Sequence, residues 1–195
     1  MKRCLATDVL VIGLGPAGAS AAAMAARSGA RVLGIERKPV IGLPVQCAEF
    51  LPRPMGRYAR NDDVKVQPIE TMATYLPSGA REVHPLGGLM INRAAFDQAL
   101  ADEAEAQGAQ LMRGACLKGL DSRASCASIK QGEATIEVAY KVLIAGDGPQ
   151  SLVAKLLGLK PLVTVVTRQY TVALHNTSVT TDIWLTPQCP GGYAW

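Results

Sequence analysis

Residues 11–20 read VIGLGPAGAS, and the spacing of their three glycines restricts the possible folds more than any other stretch. The pattern is Gly13-x-Gly15-x-x-Gly18. Before it, Val9–Ile12 is a short continuous apolar run, the signature of a strand buried on both faces. After it, Pro16–Arg27 is rich in alanine, a strong helix former, and proline is tolerated in a first helical turn. Gly29 is the expected stop. Arg31–Glu36 (RVLGIE) reads as a second strand. A strand, a helix and a strand within about 30 residues demand a parallel sheet, so the expected class is α/β.

Each glycine of the corner has its own physical reason. Gly13 permits a tight turn, Gly15 lets a pyrophosphate approach the backbone, and Gly18 allows the helix to pack closely on the strand. The start of the helix offers free N–H groups and a partial positive charge to phosphate, with Pro16 and Ala17 in its first turn. Glu36 ends the second strand 18 residues beyond Gly18, where a carboxylate can accept hydrogen bonds from both ribose hydroxyls. Motif and acid together indicate a Rossmann-like dinucleotide site, and they leave FAD and a nicotinamide cofactor both open.

The uncharged run from Val9 to Ala26 follows MKRC and mimics a leader or a spanning segment. Gly13, Gly15, Pro16 and Gly18 interrupt it, a density of helix breakers that a spanning helix of about 20 residues does not carry. We therefore expect no targeting segment. Apolar residues make up 49% of the chain and charged residues 18%, which excludes a disordered protein. A net charge of +4 is too small and too dispersed to indicate nucleic acid. The densest basic stretch, RPMGRYAR (Arg53, Arg57, Arg60), reads as a solvated loop. Cys4, Cys47, Cys116, Cys126 and Cys189 are widely separated and odd in number, so neither a disulfide framework nor a zinc site is expected, and a reducing, cytoplasmic compartment is. His84 and His175 have no ligand partners at metal spacing, and no metal is expected.

Along the rest of the chain, Lys38–Pro54 is punctuated by proline and reads as irregular. INRAAFDQALADEAEAQGAQL carries Ala95, Phe96, Ala99, Leu100 and Ala104 at helical spacing and should be a helix ending at Gly108. AQLMR reads as the next strand, ASIKQGEATIEV as a hairpin around Gln131-Gly132, KVLIA as a buried strand, and Ser151–Leu157 as a short helix. From Val163 the period changes. VTVVTRQYTVAL and SVTTDIWL read as strands of an antiparallel sheet. The expected organisation is a cofactor domain over 1–160, with 55–90 contributing to a second region, and the start of that second region over 161–195.

The series GLGPAG, ERK, LPVQCAEFLP, INRAAFDQAL, LIAGDGPQS and PGGYAW spans nearly the whole chain. It resembles the geranylgeranyl reductase family, FAD-dependent flavoproteins that share a fold with p-hydroxybenzoate hydroxylase, and within it the archaeal-type digeranylgeranylglycerophospholipid reductases. The resemblance implies a Rossmann-like FAD-binding domain, a parallel sheet with a β-meander, followed by an antiparallel substrate-domain sheet. It implies FAD as cofactor and reduction of isoprenoid carbon–carbon double bonds on lipid precursors. NAD(P)H or a ferredoxin is implied as external reductant, with a prenylated lipid substrate and peripheral contact with a membrane. By this resemblance Glu36 binds the adenosine ribose, with Arg37 beside it, and Cys47 and Ala48 lie against the flavin. Cys47 is the candidate catalytic thiol, with proton donation as its role. Arg93 reaches the phosphate and ribitol region, the backbone near Cys116 contacts adenine, and Asp147 and Gly148 of the second signature sit near the pyrophosphate. Tyr193 and Trp195 face the flavin or the substrate.

Phe50 departs from the resembled loop, which has glycine after C-x-E. Relatives of this kind also continue well past GGYxW, so the chain reads as a fragment. Two other functions share the same motifs: a flavin monooxygenase acting on an aromatic ring, and an inactive, truncated FAD-binding fragment.

Overall fold

A computed structural model of the protein describes residues 3–173 and 175–195. Its strands are β1 (Arg3–Ala6), β2 (Val9–Ile12), β3 (Val32–Glu36), β4 (Phe50–Pro52), β5 (Lys65–Tyr75), β6 (Arg81–Ile91), β7 (Gln110–Arg113), β8 (Ala115–Asp121), β9 (Cys126–Gln131), β10 (Ala134–Ala139), β11 (Val142–Ala145) and β12 (Thr180–Trp184). The helices are α1 (Pro16–Arg27), α2 (Arg93–Ala106) and α3 (Leu152–Leu156), with a 3₁₀ turn over Arg53–Tyr58. The strands of the described residues form three sheets, ordered β11-β2-β3-β7, β1-β10-β9-β8 and β12-β5-β6-β4. The chain divides into two compact units. One comprises the chain up to Pro44 together with Asp97–Val163, the other Val45–Phe96 together with Thr164–Trp195.

In the first unit the sheet β11-β2-β3-β7 is parallel throughout, as the βαβ reading requires. Its strands have two buried faces, and successive side chains separate onto them. Val11 and Val32 pack with Leu14 against alanines of the two helices, Ala22, Ala23 and Ala26 on α1 and Ala101 and Ala104 on α2. Leu10, Ile12, Leu33 and Ile35 pack on the other side against Ala115, Leu117, Ala127, Ile129, Ile136 and Val138 of the second sheet, with Val153 of α3. Burial on both faces explains why these strands read as unbroken apolar runs. The second sheet is the expected meander, since β8, β9 and β10 are joined antiparallel in sequence order. The hairpin turns where expected, with Ala134 opposite Gln131. A strand that the sequence did not announce, β1, adds to its edge parallel to β10.

α1 has Pro16 at its first helical position and ends at Gly29, where the Gly29 N–H bonds to Ala26 O and the Ala30 N–H to Ala25 O. α2 ends the same way at Gly108. The run from Val9 to Ala26 is thus a strand and a helix, and no helix among the described residues is long and apolar enough to cross a membrane.

The second unit is built on the long hairpin of β5 and β6, closed by the turn Leu76–Ala80 with a left-handed Gly79. Lys38–Pro54 is not wholly irregular, because its end forms β4, paired antiparallel with β6. Phe50 finds its space there. A Cβ on Gly88 of β6 would lie 2.5 Å from Phe50 Cε2, so the phenyl ring fills the slot left by a glycine. The expected strand over 163–174 is absent from the described part of that stretch, residues 163–173, and Leu174 lies outside the described residues. Val163 and Val166 are 98% exposed. Strand propensity measures the fit to a pleated, half-buried surface, and this segment has no neighbouring strand to supply one. The second expected strand forms as β12, but it joins β5 in parallel, so the sheet is antiparallel at β5-β6-β4 and parallel at its β12 edge.

Candidate cofactor-binding site

The corner after β2 is a knot of three glycines. Gly13 has a φ of +85°, and a Cβ there would stand 2.5 Å from Gly146 O and 2.8 Å from Asp147 Cα. A Cβ on Gly18 would overlap Gly13 O, and one on Gly146 would stand 3.0 Å from Gly18 Cα. The Gly13 N–H bonds to Ile35 O at 2.8 Å, and the Gly146 N–H to Ile12 O at 2.7 Å. The first signature, Gly13–Gly18, and the second, Gly146–Gly148, are therefore two halves of one backbone junction. Gly15 differs. Nothing lies within 4 Å of where its Cβ would be, so this glycine faces open space at the helix start.

Gly15 is the N-cap of α1 without any side-chain cap, and the first turn holds no acid. The first intrahelical bond is from the Ala19 N–H to Gly15 O, so the amides of Ala17 and Gly18 precede it; Pro16 has no N–H to offer. Ala17 is exposed. This is an uncapped, acid-free helix start beside a backbone that leaves room for a ligand, the combination that suits pyrophosphate.

Glu36 stands over the same turn. Its Oε2 accepts the Leu14 N–H at 2.9 Å and its Oε1 accepts the Lys38 N–H at 3.0 Å. Each oxygen keeps a second lone pair for a ribose hydroxyl. The neighbouring strand does not compete for it. Arg113 is the register partner of Glu36, yet its guanidinium makes a two-pronged pair with Glu105 of α2, at 2.9 and 3.0 Å. That hydrogen bonding holds the Glu105 carboxyl below the usual carboxylate range. Sequence reasoning did not find this pair. Arg37 follows β3 and is exposed.

Asp147 is placed next to Gly13 through its backbone, while its carboxylate turns to α3. Oδ1 accepts Ser151 Oγ–H at 2.7 Å and Oδ2 accepts the Val153 N–H at 3.1 Å. Gly148 is exposed, in a left-handed conformation with open space around it. Cys116 lies on β8 opposite Lys130, and its neighbours Ala115 and Leu117 are the ones buried in the core. An ADP moiety is compatible with what these residues offer: an open Gly15, a bare helix start and a carboxylate with spare acceptor capacity.

The other predicted residues belong to the second unit. Cys47, Ala48 and Arg93 are each half-buried. Glu49, which sequence reasoning passed over, links two of them: its N–H donates to Cys47 Sγ at 3.3 Å, and its Oε1 accepts the Arg93 N–H at 3.1 Å. The only hint in the sequence was its position two residues after Cys47. At the chain end, Ala194 pairs with Trp184 through two backbone bonds of 2.8 and 3.0 Å. Trp184 stacks on Tyr75 at 5.1 Å, while Tyr193 and Trp195 meet edge to face at 6.2 Å. Both remain substantially exposed, 50% and 40%.

Known proteins resemble this chain in sequence and in fold. A family model described as FAD dependent oxidoreductase matches residues 8–139. An uncharacterised protein in the nifH2 5' region of Methanosarcina barkeri is 36% identical, over 78% of this chain and 88% of its own. The digeranylgeranylglycerophospholipid reductase of Thermoplasma volcanium is 33% identical, over 96% of this chain and 52% of its own. A crystal structure of a geranylgeranyl bacteriochlorophyll reductase-like protein from Thermoplasma acidophilum matches with a TM-score of 0.83 and 26% identity, covering 97% of this chain and 53% of that one. The chain thus spans about half the length of the curated reductases it matches. With a matching family model over residues 8–139 and a glycine corner of the required build, the chain belongs to the FAD-dependent oxidoreductase family.

Proposed function

We propose that the chain works as an FAD-dependent reductase of isoprenoid carbon–carbon double bonds, geranylgeranyl chains on lipid precursors in particular. The observation that carries this reading is the Gly15 opening with Glu36 above it, in a chain whose relatives include named digeranylgeranylglycerophospholipid reductases. When bound, FAD supplies hydride to the double bond, with NAD(P)H or a ferredoxin-like protein as the source of electrons.

The residues of the chain bind and orient. The amides of Ala17 and Gly18 receive the pyrophosphate at the start of α1, and the absence of a Cβ on Gly15 keeps the approach clear. Glu36 takes the two ribose hydroxyls with the lone pairs that Leu14 and Lys38 leave over. Arg37 and Arg93 add positive charge toward the phosphates, and the backbone at Cys116 contacts adenine. Asp147 holds Gly148 and the second loop in place through α3. Cys47 and Ala48 lie along the flavin, and Cys47 donates the proton that completes saturation. Tyr193 and Trp195 line the path of the prenyl chain. A substrate of that length is delivered from a membrane surface, which the protein contacts peripherally from the cytoplasm.

The test is anaerobic. The protein is reconstituted with FAD, reduced, and mixed with a geranylgeranylated phospholipid while flavin absorbance is followed. Recovery of the oxidised spectrum with a saturated lipid product is expected. No reoxidation by any prenylated lipid contradicts the reading, and oxygen-dependent NAD(P)H consumption with an aromatic compound replaces it by a monooxygenase.

A further inference from the structure

Glu49 stands where the Cys47 loop becomes β4, and its backbone is left-handed, with a φ of +62°. A residue with a Cβ is disfavoured there, and glycine is the usual occupant. All four of its polar groups are nevertheless engaged. The N–H donates to Cys47 Sγ at 3.3 Å, and the carbonyl accepts the Ile91 N–H at 2.8 Å. Oε1 accepts the Arg93 N–H at 3.1 Å, and Oε2 receives Gln169 Nε2 at 3.5 Å. Asn92 Oδ1 accepts the Ala95 N–H at 3.1 Å, so the opening amides of α2 are shared between a carboxylate and an amide side chain. A negative group at a helix start is favourable, which helps hold the carboxylate where it is.

These bonds join three elements at one residue: the Cys47 loop, the end of β6 and the start of α2. We propose that Glu49 is a positioning residue, which clamps the sulfur of Cys47 and the backbone of Arg93 into one rigid presentation toward the flavin. This rests on the reading of Cys47 and Arg93 as flavin-facing. A disfavoured backbone angle persists only when the surroundings over-determine it, and here four hydrogen bonds do so. Because the sulfur accepts the Glu49 amide hydrogen, its position is tied to the Glu49 backbone.

Iodoacetamide labelling of the five cysteines, resolved by mass spectrometry, tests the clamp on the apo-protein. Glu49→Ala and Glu49→Gly keep the amide that donates to Cys47 Sγ but lose the carboxylate that anchors it to the Arg93 N–H. The loosened loop is expected to speed alkylation of Cys47 about tenfold, the scale of that one charge-assisted hydrogen bond, and to leave Cys4, Cys116, Cys126 and Cys189 unchanged. Glu49→Gln keeps an acceptor for the Arg93 amide and should stay within about twofold of wild type. Glycine suits the backbone angle, so Glu49→Gly should melt no lower than Glu49→Ala, which separates lost positioning from lost folding. Both variants should also weaken FAD binding about tenfold, with Gln restoring it. An unchanged Cys47 rate in Glu49→Ala overturns the clamp, and protection of wild-type Cys47 by FAD then leaves the flavin-facing reading standing alone. Absence of that protection in wild type refutes the reading and the proposal with it. Faster alkylation with undiminished FAD affinity also overturns the proposal, reducing Glu49 to a local brace.

Discussion

At the scale of single residues, glycines with the same motif role do different physical work. Gly13 is hemmed in by Gly146 and Asp147 and sits at positive φ, whereas Gly15 opens on space. Gly13→Ala should therefore cost about 2–4 kcal/mol of stability through strain and overpacking. Gly15→Ala should cost less than about 1 kcal/mol. Urea unfolding of the two variants checks this, and equal losses would contradict the assignment of Gly13 to structure and Gly15 to ligand. Cys47→Ala, which removes the proposed proton donor, should retain FAD and lower turnover on a prenyl lipid by about 100-fold. Turnover within about twofold of wild type would remove the thiol from the mechanism. The sequence reveals Gly13, Gly15, Gly18 and Glu36 because their spacing is tied to a local βαβ unit. It does not reveal Glu49 or the Arg113–Glu105 pair, because those contacts join residues far apart along the chain or turn on which of two nearby carboxylates a guanidinium chooses.

At the scale of elements, the acids do the fastening. Asp147 and Ser151 together cap α3, whose Val153 seals the core. Asp147→Ala should lower stability by about 1–2 kcal/mol, read from the urea midpoint, and an unchanged midpoint would show that the cap carries nothing. Asp8 lies just before β2 and binds Arg31 at 3.1 Å and Lys141 at 2.9 Å, tying together the starts of three parallel strands. Hydrogen bonds from Arg31 and then Lys141 hold its carboxyl well below the usual carboxylate range. Because the folded state has the lower pKa, the stabilisation is complete above the unfolded value of about 3.9 and fades as the pH falls below it. Asp8→Asn should thus be less stable than wild type at neutral pH, with the difference closing in acid. A difference in midpoint that is the same at neutral and acidic pH would contradict this. Most elements of the first unit were legible from apolar runs, alanine content and glycine stops. The β5–β6 hairpin was not, because its strands mix charged residues with Pro68, Pro85 and a Gly87–Gly88 pair and so lack a clean alternation.

At the scale of the whole molecule, the class was legible from a few local signatures and FAD from the resemblance carried by the whole series of motifs, whereas the pairing of strands distant in sequence was not. β12 follows β5 by more than a hundred residues and joins it in parallel, a partnership that no local pattern announces. The stretch 163–173 shows the converse error, since strand-like composition without a neighbour stayed irregular and exposed. What unites the chain functionally is a single claim, that the corner between β2 and α1 is the seat of FAD. Equilibrium titration of the apo-protein with FAD, followed by quenching of flavin fluorescence and run in parallel on Gly15→Ala, tests it most directly. We predict one FAD bound per wild-type chain and affinity weakened at least about tenfold in Gly15→Ala at an unchanged melting temperature. Absence of binding by wild type, or equal binding by the two proteins, would contradict the account.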